Sequence, residues 1–194
     1  MSKTVRNLVV TAMLTAVSFI LMLLDFSVPL IPNFVKMDIS EFPALLAAFA
    51  LGPVWGAGVC LLKNLLHLTV TTTGGVGELA NFLLGAVFTL VAGAIYKHKR
   101  TRTGAMIASI AGALAMAVLS LPINYYITYP FYQNFMPLDA IIGAYQAINP
   151  GVDGLFACLL IFNMPFTFAK GMLDVILCAL IYKRISPLLK GNSN

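Results

Sequence analysis

Apolar runs of helical length, separated by short connectors, constrain this chain more than any single motif. The first covers residues 5–24, and further runs follow as far as residue 185. Crossing the roughly 30 Å hydrocarbon core of a bilayer takes about 20 predominantly apolar residues. Of the 194 residues, 60% are hydrophobic and 10% charged, whereas an average soluble domain carries about 25% charged residues. There is too little charge to cover a water-exposed surface, and a soluble fold of this size would expose large apolar patches. The composition predicts an all-α polytopic membrane protein with one membrane-embedded domain over residues 1–194. The first run is longer than a signal h-region and has no small-residue cleavage site before Asp25, so it reads as a retained helix.

Breakers divide the remainder. Asp25, Pro29 and Pro32 end the first helix, and residues 25–40 form a greasy loop holding Lys36 and Asp38. A second helix covers 41–51, with Pro43 in its first turn where a missing N–H costs nothing. Gly52 and Pro53 interrupt the run, and a third helix covers 54–68. One long bent helix over 43–68 is the rival reading. Residues 69–77 (TVTTTGGVG) read as a turn-rich, flexible connector. The fourth helix covers 78–96, a basic turn 97–102, and the fifth helix 104–129 with Pro122 inside it. In the long connector 131–154, a short interfacial helix falls within 138–147. The sixth helix covers 155–185, and Pro165 predicts a kink or an early break.

Charge sets the orientation of this six-helix bundle. Net charge is +5, and the basic residues lie at helix ends, a pattern that fits a membrane better than nucleic acid. Lys3 and Arg6 precede the first helix, Lys97, Lys99, Arg100 and Arg102 join the fourth to the fifth, and Lys183, Arg184 and Lys190 follow the sixth. With six crossings, nine of the twelve basic residues and none of the seven acids share one side. The positive-inside rule makes that side cytoplasmic and puts both termini there. Glu41 and Glu78 then begin helices at the outer face, where the helix dipole also favours an anion.

Polar residues inside apolar helices are costly unless paired or facing a cavity. Lys170 and Asp174, four apart, share a helix face; they read either as a structural ion pair or as a ligand donor with its neighbour. Lys63, near the outer end of a short helix, reads as the partner of Glu41 or Glu78. Asn81 lies one turn into the fourth helix, within reach of an outer vestibule. Asn124 either satisfies a carbonyl freed by Pro122 or offers its amide to a ring edge. Thr167 either bonds its own i−4 carbonyl or shares a pocket with Lys170. Tyr125, Tyr126, Tyr129, Phe131, Tyr132 and Phe135 form an interfacial belt or wall a pocket for a flat ring, and Trp55 is an interface anchor. Ala12 and Ala16, four apart on the first helix, allow close helix approach, either within the bundle or to a second membrane protein.

Catalytic and metal chemistry leave no trace. HExxH, GxSxG and Walker A patterns are absent. His67 and His98 lack a ligand set, and Cys60, Cys158 and Cys178 stand alone in apolar runs as buried small hydrophobes. No metal, no bound cofactor and no enzymatic activity are expected. ATP-driven transport would need its nucleotide site on another chain.

TAMLTAVSF in the first helix, FVKMDISEFPALL, GPVWGAGVCLLKNLLH, GELANFLLGA, LPINYY and PFTFAKG occur in that order along nearly the whole chain. In order, spacing and topology the chain resembles the substrate-binding membrane subunit (S component) of energy-coupling factor vitamin transporters, and within them the riboflavin-specific branch. The resemblance implies a six-helix plasma-membrane protein that captures riboflavin from outside, under the connector between the first two helices. It implies docking through Ala12 and Ala16 onto a transmembrane coupling protein that carries two ATPases, which use the ATP. It also implies ligand contacts from Asn124 and Lys170. Relatives often read PFN-x-x-KG where this chain has Thr167, which offers one hydroxyl in place of an amide. Glu41, Asn81 and Tyr125 complete the expected ligand set. Rival readings are the same module with another vitamin or a purine-like base, a membrane enzyme acting on lipid, and a scaffold that binds only other membrane proteins.

Overall fold

In the computed structural model the chain is described over residues 2–190, with side chains through Ile181. Helix α1 (Lys3–Leu23) starts where the Ser2 hydroxyl accepts a hydrogen bond from the Val5 N–H, a standard N-cap. Two short strands follow, β1 (Phe26–Ser27) and β2 (Lys36–Met37). They pair antiparallel with Phe26 opposite Met37 and Ser27 opposite Lys36. The greasy loop is thus a folded ribbon. Then come α2 (Glu41–Ala50), α3 (Pro53–His67), a 3-10 turn at Leu68–Val70, and α4 (Val76–His98). Helix α5 (Arg102–Ile123) continues through a π-helical turn, Asn124–Thr128, into α6 (Tyr129–Tyr132). After α7 (Leu138–Gln146), a short helix where one was expected, α8 (Gly154–Cys158) passes through a second π-helical turn, Leu159–Asn163, into α9 (Met164–Lys190). The side chains of Lys183, Arg184 and Lys190, used above to assign orientation, lie outside those described.

Among the described residues, four helical stretches are long and apolar enough to cross a membrane: Lys3–Leu23, Val76–His98, Arg102–Tyr132 and Gly154–Ile181. The segment between them is not one bent helix. Gly52 adopts φ 123°, a conformation open to glycine, and Pro53 opens α3 at its first position. The chain therefore doubles back, and α2 and α3 form an antiparallel hairpin. A Cβ on Gly56 would sit 2.7 Å from Ala48 Cβ and 2.8 Å from the Ala44 carbonyl oxygen, so the close approach of the two helices requires glycine there. Every residue from Glu41 to Phe49 is buried. Ten helical residues rise about 15 Å, half the apolar thickness, so α2 is a central plug packed on α1, α3, α4 and α9.

The helix surfaces divide as a lipid environment demands. On α1, Asn7, Thr11, Leu14, Thr15, Ser18 and Met22 face the bundle. Val9, Met13, Val17 and Ile20 face outward, and Ala12 and Ala16 are exposed among them. The two alanines therefore take no part in internal packing. Cys60, Cys158 and Cys178 are free and buried, as their apolar surroundings predict.

Proline shapes both long outer-end helices. Each π-helical turn ends two residues before a proline, Pro130 in one case and Pro165 in the other. Proline lacks the N–H that would bond the i−4 carbonyl, and its ring crowds that carbonyl. Widening the preceding turn by one residue accommodates both, so α8 and α9 run on as one stretch with no break at Pro165.

Candidate functional site

Alternating helix directions bring the ends of α1, α3 and α5 together with the beginnings of α2 and α4 at one end of the bundle. The stretch joining α8 to α9 reaches the same end. There they enclose a cavity of about 570 Å³, within the range of small-molecule sites. The β-ribbon loop contributes Phe34, Lys36 and Asp38, and the connector before α4 contributes Thr72, Thr73 and Gly74. The basic turn between α4 and α5 lies at the other end.

A network of buried charges forms one wall. Lys63 Nζ lies 2.6 Å from Glu41 Oε1, with both side chains almost fully buried, and it donates to the Ser40 hydroxyl. Lys170 Nζ donates to Asp38 Oδ2 at 2.8 Å and lies 3.2 Å from Glu41 Oε2. Ser40 donates in turn to Asp38 through its hydroxyl and its backbone N–H. Ser18 of α1 donates to the Ser40 carbonyl. Five segments are thus tied at one point: α1, the ribbon loop, α2, α3 and α9. Burial acts to raise the Asp38 pKa, but the ammonium groups of Lys170 and then Lys63 outweigh it. They hold the carboxyl well below its ordinary value.

The network corrects one expected pairing. Lys170 turns to Asp38 and Glu41, not to Asp174. Asp174 is fully buried, and neither of its carboxyl oxygens has a hydrogen-bond partner among the described residues. Spacing of four places two side chains on one face, but here a loop carboxylate 132 positions away holds the ammonium. Of the two partners expected for Lys63, Glu41 is the one engaged. Glu78 accepts instead from Thr73 Oγ1 at 2.9 Å and lies 2.8 Å from His67 Nδ1. Thr73 Oγ1 also accepts from the Gly77 N–H. These contacts order the threonine-rich connector that its composition marks as flexible.

Neutral polar groups occupy the remaining walls. Asn124, the first residue of its π-helical turn, is buried and lines the cavity. Its side-chain amide makes no hydrogen bond to another described residue, so it does not cap a carbonyl freed by Pro122. Thr167 lines the cavity too, and its hydroxyl does not bond back to its own helix. Asn81 Oδ1 accepts from Asn64 Nδ2 at 3.2 Å, which leaves the Asn81 amide N–H groups for the cavity. Five of the six expected ligand residues, Glu41, Asn81, Asn124, Thr167 and Lys170, therefore share one chamber.

Tyr125 does not line it. One position past Asn124, it turns away from the chamber and packs edge-on against Tyr126 and Phe156. The aromatic cluster divides between the two roles open to it. Tyr129, Tyr132 and Phe135 line the cavity, whereas Tyr126 is 74% exposed. Asp38, His67, Thr128 and Asn163 also line it, and none of them belongs to the ligand set expected from sequence. Asn163 is marked only by its place two residues before Pro165.

Known proteins match the chain along almost its whole length. The family profile described as ECF transporter, substrate-specific component covers residues 6–182. The riboflavin transporter RibU of Staphylococcus aureus (strain TCH60) is 36% identical over 189 residues, covering 95% of this chain and 93% of that protein. The riboflavin transporter FmnP of Bacillus subtilis (strain 168) is 29% identical over 191 residues, covering 96% and 95%. A solved structure of the S component of a bacterial ECF transporter superposes with a TM-score of 0.76 at 32% identity, covering 97% of this chain and all of its own.

A carboxyl whose pKa is depressed by folding stabilises the fold above its unfolded value, and that stability is lost as pH falls through the folded one. The melting temperature of the purified protein should therefore decline as pH falls below the ordinary carboxylate value of 3.8. Breaking a buried pair costs about 3–5 kcal/mol, so Lys170→Met should melt well below the wild type at neutral pH. It should also lose less on acidification. Equal acid sensitivity in the two proteins would show that the Lys170–Asp38 pair is not responsible.

Proposed function

The chain belongs to the family of ECF transporter substrate-specific components, and on that premise we propose that it captures riboflavin from outside the cell for ATP-driven uptake. It is a multi-pass membrane protein whose chamber opens at the end remote from the basic turn. The observation that carries the ligand reading is how polarity is distributed in that chamber. Its charged side chains are neutralised mainly by one another, while its amides, Thr167 and aromatic rings face the cavity. An uncharged guest with a flat apolar ring, a polar edge and a hydroxylated chain matches that lining. Lys170 has three ammonium N–H groups and one hydrogen bond to the protein, so it retains a donor for the ring edge beside Asn124 and Thr167. The bond-forming chemistry of an enzyme has no part in this function.

The antiparallel alternation supports six crossings, with α2 and α3 as a short hairpin and both termini on the cytoplasmic side beside the basic turn. The exposed Ala12 and Ala16 support a docking face on α1. Small residues four apart let a partner helix approach closely, and the partner is a transmembrane coupling protein bound to two ATPases.

Flavin titration of the detergent-purified, ligand-free protein should quench flavin fluorescence at one site per chain. Other vitamins and purine-like bases should not compete. Since the Asn124 side chain makes no hydrogen bond to another described residue, Asn124→Ala should leave the melting temperature nearly unchanged. It should weaken riboflavin by about tenfold, the equivalent of one hydrogen bond at about 1.4 kcal/mol. Folded protein that leaves the fluorescence unchanged would refute the ligand.

Large side chains on the docking face should separate assembly from capture. Ala12→Leu combined with Ala16→Leu should bind riboflavin as the wild type does but fail to copurify with the coupling protein and ATPases. Normal copurification would remove α1 from the interface.

Single cysteines introduced at Lys3 or Lys99 should resist a membrane-impermeant thiol reagent added to whole cells, and one at Asp139 should react. Labelling at Lys3 from outside would overturn the six-crossing arrangement.

A further inference from the structure

Asn163 lies in a closed hydrogen-bond triangle with two tyrosines that the riboflavin reading does not use. Asn163 Nδ2 donates to the Tyr129 hydroxyl at 2.9 Å, and Asn163 Oδ1 accepts from the Tyr145 hydroxyl at 2.7 Å. The two hydroxyls are hydrogen-bonded to each other. All three side chains are buried, at 5%, 1% and 0% exposure for Asn163, Tyr129 and Tyr145. The triangle joins three segments: the π-helical turn before α9, α6 and α7.

Counting protons shows what the triangle leaves over. Each tyrosine has one O–H and the amide has two N–H groups. The Tyr145 proton goes to Asn163, so the Tyr129 proton must go to Tyr145. One amide N–H goes to Tyr129, and the other is unspent. Reversing the amide reverses the direction of the ring and leaves the same remainder. Asn163 and Tyr129 line the cavity, and Tyr145 stands behind them. Next in the chain to Tyr129, the Thr128 hydroxyl also lines the cavity, buried and without a hydrogen-bond partner among the described residues. A buried polar group without a partner carries a penalty that a ligand atom relieves.

We propose that Asn163 is a specificity-determining residue whose unspent amide N–H is donated to a neutral acceptor, a carbonyl oxygen or a ring nitrogen, on the flat part of the ligand. Tyr129 and Tyr145 are positioning residues that fix the amide plane before the ligand arrives. The triangle fixes the amide plane, and in either orientation it leaves one N–H beyond those the tyrosines use. Donation from a buried site rejects an analogue without the acceptor far more strongly than apolar contact does. The proposal rests on the riboflavin reading above.

The test is a titration of wild-type protein with riboflavin and with analogues that each lose or weaken one acceptor: 1-deaza-, 5-deaza-, 2-thio- and 4-thioriboflavin. Asn163→Asp is nearly isosteric. As a carboxylate it has no donor, and as an acid its one proton is needed to close the triangle. Asn163→Leu removes both functions. Thermal melts without ligand establish that each variant is folded. The wild type should bind one analogue about tenfold or more weakly than riboflavin. Both variants should bind riboflavin weakened by a similar factor and lose their preference for it over that analogue alone. A uniform penalty across all five ligands, or unchanged riboflavin binding in either folded variant, would overturn the assignment of Asn163 and leave the riboflavin reading standing. Failure of the wild type to bind any flavin would overturn both.

Discussion

The buried network of Lys63, Glu41, Lys170 and Asp38 is the constraint on which the rest of this structure depends. Charges brought out of water in an apolar bundle cost several kcal/mol each unless their partners are close and well directed. Here two ammonium groups and two carboxylates satisfy that condition by meeting at one point. Glu41 opens α2, Lys63 sits late in α3, Lys170 lies in α9, and Asp38 ends the ribbon loop. No pair lies within a single element, so the charges can be satisfied only when the hairpin, the loop and α9 are all in place. The pairing therefore specifies the arrangement of segments more than it adds net stability, because a well-packed apolar replacement for a buried ion pair is often as stable.

The network also fixes one wall of the chamber, and neutral groups line the others. Proline-associated π-helical turns set two of those groups. A widened turn shifts the helical register by one residue, and such turns recur at functional sites. Asn124 begins one and Asn163 ends the other. An amide thus lies at the boundary of each turn, and both line the cavity. Regular α-helices through these segments would rotate the later residues onto different faces.

Much of this was legible in the sequence because it follows from local chemistry. Apolar run lengths gave the long helices to within a few residues, Gly52–Pro53 marked the break in the hairpin, and expensive polar residues marked Asn81, Asn124 and Lys170. What escaped depends on tertiary placement. Helical spacing pairs Lys170 with Asp174, but the partner actually taken is Asp38 in a loop distant along the chain, which no periodicity links to α9. Tyr125 and Asn124 are neighbours in sequence, yet one faces outward and the other inward, a distinction fixed by helix rotation. Asn163 gave no signal by itself, since an isolated asparagine in an apolar run needs Tyr129 and Tyr145 beside it to show a purpose.

Polarity is sorted in three layers around α2. Charges lie innermost and are spent largely on one another. Neutral donors and acceptors come next and face the chamber, and apolar side chains with two small alanines form the outer face of α1. Each layer answers to a different solvent: the protein itself, the guest and the lipid. Because the chamber is lined at one end of the bundle while Ala12 and Ala16 lie along the outside of α1, capture and the docking proposed for α1 draw on separate atoms. They are linked through Ser18, which sits on the inner face of α1 and bonds to the Ser40 carbonyl between Asp38 and Glu41. A shift of α1 against a partner would act on the loop that holds Lys170. That contact is a short physical route by which an event on the lipid face could reach the wall of the chamber.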